Sequence, residues 1–268
     1  MHTHVHKKYE PLTKEIEKIP EGAYQTLHTF CNNRNTVELI SINDNTFVVK
    51  RYKTPNIFNR FVYTFFRRSK AQRAFENTLR IMRNGINTPF PVAYIETKKR
   101  GLFHTGYFVS EYMDYPTLET LKEGNNDTEE IKKIKEDFTN FTIELHEKHI
   151  LPLDYNPKNI FFHKDEKSGH YKFALTDINR AKFGNISRYK DTMRSFEQLG
   201  IPVNNLCNAV TDYTERRNLD LEASLFFILY YRIRKRTKKF VRKKLRLFIK
   251  RKTQPLIGCA GRLDCRWY

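Results

Sequence analysis

His149-Ile-Leu-Pro-Leu-Asp154-Tyr-Asn-Pro-Lys-Asn159-Ile-Phe-Phe-His163 is the stretch on which the reading of this chain turns. It places an aspartate and an asparagine five residues apart, directly after a helical pattern and directly before a short apolar strand, Ile160–His163. A charged turn, Lys164-Asp-Glu-Lys-Ser-Gly, then leads into Tyr171-Lys-Phe-Ala-Leu-Thr, and that second strand ends at Asp177, eighteen residues after Asn159. A hydroxyl that attacks a phosphoryl group needs a carboxylate to orient it and take its proton, and a triphosphate needs Mg²⁺, a hard cation that takes oxygen ligands. Asp154 fits the first need; Asn159 and Asp177 fit the second. The bland alternative makes Asp154 and Asn159 turn residues and Asp177 a helix cap.

Working outward, the preceding helix has Ile131, Ile134, Phe138, Phe141 and Leu145 at helical spacing, and Asp127 with Glu130 forms a capping-box pattern at its start. Further upstream the chain reads as β. The runs Thr36-Val-Glu-Leu-Ile-Ser-Ile and Thr46-Phe-Val-Val-Lys50-Arg-Tyr are β-branched and aromatic, and Asn43-Asp44-Asn45 between them tolerates left-handed backbone, so a hairpin is predicted. A helix is predicted from about Lys70 to Asn84, on the recurrence of Ala71, Phe75, Leu79 and Met82, with Gly85 at its C-terminal end. Lys50 on the second hairpin strand and Glu76 on this helix have the types of a strand lysine that grips phosphates and the glutamate that holds it. A solvated Lys50 among its basic neighbours is the competing reading. Strands first and helices afterwards give an α+β chain with a β-rich first half.

These residues resemble the lipopolysaccharide core kinases, the Kdo/heptose kinases of the cytoplasmic face of the bacterial inner membrane. The likeness is carried by FVVKRYKTPN, SKAQRAFENTLRIMRNGINTPFPVAYIE, DYNPKNIFF and LTDINRAKFGNISRYKDTMRSFEQL, and covers roughly residues 22–200. It implies a two-lobed protein-kinase-like fold, a β-rich N-lobe over a helical C-lobe, with ATP and Mg²⁺ between them. It also implies that Asp154 is the catalytic-loop aspartate, Lys50 the nucleotide lysine with Glu76 its partner, and Asn159 and Asp177 the metal ligands. The segment around Glu111 is then the hinge where adenine sits. The implied acceptor is a sugar hydroxyl of the lipopolysaccharide inner core, most simply Kdo on lipid A.

The chain departs from the wider kinase pattern in several places. No G-x-G-x-x-G is present, and Cys31-Asn-Asn-Arg-Asn35 stands where that turn belongs. Leu153 precedes the catalytic aspartate, the metal motif reads Asp177-Ile-Asn, and no Ala-Pro-Glu follows. These differences argue against a regulated protein kinase and suit a compact kinase for small molecules or glycolipids. The rival readings are a small Ser/Thr kinase or small-molecule phosphotransferase of the same fold, and a non-catalytic pseudokinase that binds membrane or nucleic acid.

Composition adds one strong feature. The 268 residues carry a net charge of +19, and residues 225–252 alone hold thirteen Lys or Arg and no acid. Interleaved Leu229, Ile233, Phe240, Val241, Leu245, Leu247, Phe248 and Ile249 make this a basic amphipathic helix. It is expected to lie on an anionic membrane surface, with nucleic acid as the disfavoured partner and simple packing on the body as the bland one. The longest apolar run, Leu225–Tyr231, is far short of the ~20 residues that span a bilayer. With Cys31, Cys207, Cys259 and Cys265 widely spaced, a reduced, cytosolic-facing protein is expected, and the resemblance implies a place on the cytoplasmic face of the inner membrane. The expected division is a flexible N-terminus at residues 1–20 bearing His2, His4 and His6, an N-lobe at 21–112, a C-lobe at 113–222 and the basic segment at 223–268.

Overall fold

A computed structural model of the chain describes residues 1–122 and 128–253; Asp127, Cys259 and Cys265 lie outside them. In chain order the elements are β1 (His2–Val5), α1 (Thr13–Glu17), β2 (Gln25–Asn32), β3 (Thr36–Ile42), β4 (Asn45–Arg51), α2 (Ile57–Phe65), α3 (Lys70–Arg83), β5 (Pro91–Lys99) and β6 (Leu102–Glu111). Then come α4 (Glu129–Glu147), β7 (Ile150–Leu151), β8 (Ile160–Lys164), β9 (Tyr171–Leu175), β10 (Lys182–Phe183), α5 (Lys190–Gln198), α6 (Val203–Arg216) and α7 (Leu221–Thr253).

The first nine elements build a six-stranded sheet in the order β1-β5-β6-β4-β3-β2, with antiparallel neighbours throughout. The predicted hairpin is β3–β4, paired from Thr36↔Arg51 to Ile42↔Asn45. Asn43 and Asp44 make the two-residue turn with φ of 45° and 60°, the left-handed conformation that a tight hairpin matching the strand twist requires. Alternation along the strands then sends Ile40, Phe47 and Val49 into the N-lobe core.

Helix α3 begins where Ser69 Oγ accepts the backbone N–H of Gln72 at 3.1 Å, and it ends before Gly85 at φ +73°. Its buried face is Ala71, Ala74, Phe75, Thr78 and Ile81. The approach to the sheet is close: a Cβ on Gly106 of β6 would stand 3.1 Å from the Ala71 Cβ. Gly106 therefore sets how near the helix carrying Glu76 can lie to the strand carrying Lys50.

The N-terminus is not a flexible tail. β1 pairs with β5 from His2↔Glu96 to Val5↔Ala93, His4 stacks on Tyr94, and Tyr9, Ile16 and Ile19 are buried in the N-lobe core. The alternation of His2, His4 and His6 belongs to a strand and to the turn after it, where His6 Nδ1 accepts the Lys8 N–H at 3.2 Å. A stretch with too few aliphatic residues to read as a strand is ordered by completing the sheet edge and by burying a few anchors.

The C-lobe core gathers Ile134, Phe141, Leu145, Tyr155, Ile160, Phe173, Met193, Phe196 and Tyr213. Helix α4 starts one residue later than its sequence pattern suggests: its N-cap is Thr128, whose Oγ1 accepts the Ile131 N–H at 3.3 Å. Helix α7 divides in two. Ser224 and Ile228 are fully buried against α5 and α6, and Lys235 reaches Glu197 Oε2 at 2.8 Å. Beyond that point Phe240, Val241, Leu245 and Leu247 are all exposed. No helix among the described residues is long and apolar enough to cross a membrane.

Helix α2, which sequence reasoning left unassigned, is unusual. Asn56 caps it by accepting the Asn59 N–H at 3.0 Å, and it is held to the β5–β6 hairpin by polar contacts. Arg60 donates to the carbonyls of Phe103 (2.7 Å) and Lys99 (2.9 Å), while Thr64 Oγ1 accepts the Phe103 N–H at 2.8 Å. None of its residues is buried, and Ile57, Phe58, Phe61, Phe65 and the following Phe66 face outward. The helix is docked by its polar face, so its apolar face points to solvent.

Candidate active site

Between the lobes lies a cleft of about 470 Å³ whose lining includes Val37, Val48, Lys50, Phe108 and Glu111 from the sheet and Asn159, Phe161, Thr176 and Asp177 from the C-lobe. The lobes are clamped around it. Leu175 N–H donates to Asn87 O at 3.0 Å and Asn77 Nδ2 to Ile178 O at 2.8 Å, while Phe162 N–H, donating to Pro116 O at 3.0 Å, ties the segment after β6 to β8. Arg73, one turn before Asn77 on α3, adds a 3.3 Å contact to Asn179 O. Neither Arg73 nor Asn77 was singled out from sequence. Their signal is a pair of polar residues four apart, which on a helix share a face.

The loop bearing Asp154 and Asn159 follows α4 and β7. Asp154 O accepts Asn156 N–H at 2.9 Å and Asn159 Nδ2 at 3.1 Å, so the two motif residues are joined through the backbone of one and the side chain of the other. Tyr155 points the opposite way, fully buried, with its hydroxyl 2.8 Å from Thr142 Oγ1 on α4. Burial pushes that phenol far up, so it stays neutral and serves as a bolt. Asp154 keeps an exposed edge, yet protein packed around its carboxyl displaces enough water to raise its pKa, and the charge of Asp177 raises it further. Arg180 and Lys50 oppose that rise. A carboxyl shifted this way is a better proton acceptor than an ordinary aspartate.

Asp177 has a left-handed backbone, φ 54°, a conformation that costs a non-glycine residue of order 1 kcal/mol and that tolerant Asp adopts where its surroundings insist. Asn179 Nδ2 holds its Oδ1 at 2.6 Å, and Lys50 Nζ reaches its Oδ2 at 2.6 Å. Lys50 also lies over the Tyr52 ring, 5.6 Å from the centroid. The expected partner is thus replaced: Glu76 does not hold Lys50 but binds Arg68 Nη1 at 2.6 Å and Gln72 Nε2 at 3.0 Å. Arg68 lies just before α3 and competes for the same carboxylate, a contest that chain spacing alone does not reveal.

Glu111 ends β6, where its N–H donates to Phe90 O at 2.9 Å. Its side chain is held from an unexpected quarter: Lys8 Nζ lies 2.5 Å from Oε1, and the Tyr9 hydroxyl donates to the same atom. The N-terminal segment therefore fixes the strand end at the back of the cleft.

The residues present suit Mg²⁺. That ion is held by one or two carboxylates plus phosphate and water rather than by an all-protein cage. Asp177 supplies a carboxylate, and Asn159, whose Nδ2 is engaged, keeps its Oδ1 for another partner. Among the described residues no cluster of three or more His, Cys, Asp or Glu could hold a metal by itself.

A six-stranded lobe over a helical lobe, with Lys50, Asn159 and Asp177 lining the cleft between them, is the two-lobed architecture of the protein-kinase-like fold. The family model described as the lipopolysaccharide kinase (Kdo/WaaP) family matches residues 33–222, and the chain belongs to that family. A solved structure titled WaaP in complex with acyl carrier protein matches with a TM-score of 0.60 at 14% identity, covering 89% of this chain and 99% of that one. No curated protein sequence matches.

Proposed function

We propose that this kinase transfers the γ-phosphoryl group of ATP to a sugar hydroxyl of the lipopolysaccharide inner core, most simply on Kdo attached to lipid A. The observation that carries the reading is the convergence of Lys50, Asn159 and Asp177 on one interlobe cleft, with Asp154 near enough to feel the charges of Asp177 and Lys50. Asp154 orients the acceptor hydroxyl and takes its proton. Lys50, held by Asp177, presents its ammonium to the phosphates, and the β6 end at Glu111 borders the adenine. Asn159 and Asp177 would hold Mg²⁺, which neutralises charge on the phosphates when bound. The work of the protein is positioning and charge neutralisation.

The exposed half of α7 brings the enzyme to the cytoplasmic face of the inner membrane. At about 100° per residue, Phe240, Val241, Leu245 and Leu247 fall on one side of that helix together with Lys244, whose ammonium lies over the Phe240 ring, and Lys238, Lys239, Arg242, Lys243 and Arg246 fall on the other. The test is incubation with labelled ATP, a crude lipopolysaccharide precursor and a protein extract. Label in the glycolipid fraction is the expected result, and label confined to protein bands would transfer the assignment to a protein kinase.

A further inference from the structure

Beside the nucleotide cleft, and sharing Tyr52 with it, lies a second cavity of about 360 Å³. It is walled by the segment after β4 (Lys53, Thr54), by α2 (Asn59, Tyr63), by the N-terminal end of α3 (Lys70) and by Arg34 of the β2–β3 turn. A 3.2 Å bond from Lys53 N–H to Asn35 Oδ1 ties that turn to the wall. Three of its lining residues are cations, Arg34, Lys53 and Lys70, and Arg73 and Arg180 lie close enough to lower the pKa of Lys70. Arg34, Lys53, Lys70, Arg73 and Arg180 form no ion pair with any carboxylate among the described residues, although much of the protein's surface charge is paired. Arg73 spends its donors on the carbonyls of Ser69 and Asn179. Partial burial, then the charges of Arg34, Arg73 and Arg180, lower the pKa of Lys70; Asp177 alone opposes them. Unpaired like charges gathered at a half-buried cavity destabilise a fold unless an anion joins them.

The position narrows the anion. Lys70 lies within the electrostatic reach of Asp177, and Arg180 within that of both Lys70 and Asp154, so the cavity, which shares Tyr52 with the cleft, opens beside the place where phosphoryl transfer would occur. Its outer wall, α2, turns Phe58, Phe61 and Phe65 to solvent. Apolar surface beside a cationic hollow is what an anionic group carried on a lipid would meet.

Resting on the function proposed above, we infer that this cavity is an acceptor subsite: it takes a carboxylate or phosphate ester of the anionic glycolipid and so places the hydroxyl before Asp154. Lys53 and Lys70 are its specificity-determining residues.

The test compares wild type with Lys53→Met/Lys70→Met, after circular dichroism has matched their folds; Lys70→Arg serves as the charge-retaining control. The first probe is inorganic phosphate in thermal melts. It should stabilise wild type and Lys50→Met alike, and the double variant only at about tenfold higher concentration or more, tenfold being the loss expected if only one of the two charge-assisted contacts counts. Equal potency in wild type and the double variant overturns the anion site, whatever Lys50→Met does. The second probe is deacylated inner-core oligosaccharide, native or carboxyl-reduced and dephosphorylated. In the double variant the KM for the native form should rise about tenfold or more, while kcat and the KM for ATP stay within about twofold. The preference for native over neutralised oligosaccharide should also vanish, and Lys70→Arg should retain it. A raised KM for ATP would give the cations to the nucleotide, and an unchanged oligosaccharide KM would overturn the subsite. If wild type phosphorylates no oligosaccharide, the acceptor class falls and the subsite with it, whereas the phosphate melts still report whether the cavity binds anions.

Discussion

The interlobe cleft and the outer half of α7 are both densely charged, yet they are organised in opposite ways. In the cleft each charge has a fixed neighbour: Lys50 on Asp177, Asp177 on Asn179, and Asp154 among Asp177, Arg180 and Lys50. From Arg236 to Arg246, α7 carries its cations with no carboxylate partner among the described residues. Charges held by geometry act individually and are shielded from salt. Charges spread along an exposed helix act as a sum and are screened by it. Site chemistry should therefore be sensitive to one atom, and surface binding to the count.

The sharpest way to break this contrast is Asp154→Asn. It should lower turnover by about 10²–10⁴-fold, the usual contribution of a positioned proton acceptor, and leave ATP binding nearly intact. Single-turnover kinetics with a fluorescent ATP analogue for binding would show this, and turnover within tenfold of wild type would remove Asp154 from the role.

A second test concerns pairing. Asp177→Ala should abolish the thermal stabilisation that Mg·ATP gives wild type. Lys50→Met and Asp177→Ala should be coupled in a double-mutant cycle by about 0.5–3 kcal/mol, as contacting charges are. Lys50→Met with Glu76→Gln should be close to additive, because Glu76 is held by Arg68 and Gln72 instead. Strong Lys50–Glu76 coupling would mean that the working enzyme exchanges these partners.

The outer helix should respond in a graded manner. Each basic residue near an anionic bilayer contributes about 1 kcal/mol, with screening that tightens from ~10 Å at 0.1 M salt to ~3 Å at 1 M. Replacing Lys238, Lys239, Arg242 and Lys243 by Gln two at a time should weaken sedimentation with anionic vesicles stepwise, and high salt should release the wild type. Truncation after Lys235 keeps Ser224 and Ile228 packed and should abolish sedimentation while sparing activity on a soluble acceptor. Equal binding to neutral vesicles, or stronger competition by duplex DNA, would reject the membrane reading.

The last test concerns a site kept neutral by burial. His146 lies between Tyr213 and Ser195, and burial, helped by Arg217, lowers its pKa to about 3. In the unfolded chain it titrates near 6.5. Between those values the unfolded state binds the extra proton, so stability present above pH 6.5 is lost progressively as pH falls toward 3. The urea midpoint should drop between pH 7 and pH 4.5, and more steeply in wild type than in His146→Gln. Parallel slopes would show that His146 is solvated when folded.

The α+β order, the β3–β4 hairpin and α3 were legible because each is specified locally, by alternation, by left-handed turn residues, and by helical spacing ended at Gly85. The cleft residues Lys50, Asn159 and Asp177 were legible through residue type and spacing around elements. What escaped depends on competition across space. Spacing put Glu76 on the correct helix but could not foresee Arg68 taking its carboxylate. Helix α2 was missed because its anchors are Arg60 and Thr64, so its apolar residues do not mark the buried face. β1 was missed because its order comes from a sheet edge almost ninety residues away in sequence.

That strand has a practical consequence. Residues 1–12 resemble a dispensable leader, the kind that is trimmed or overwritten with an affinity tag to improve yield. Here β1 covers the free edge of β5, and an uncovered edge recruits other chains. Lys8 and Tyr9 also brace Glu111 at the back of the cleft. A shortened protein should therefore be worse material on two counts, forming oligomers on size exclusion and binding nucleotide more loosely.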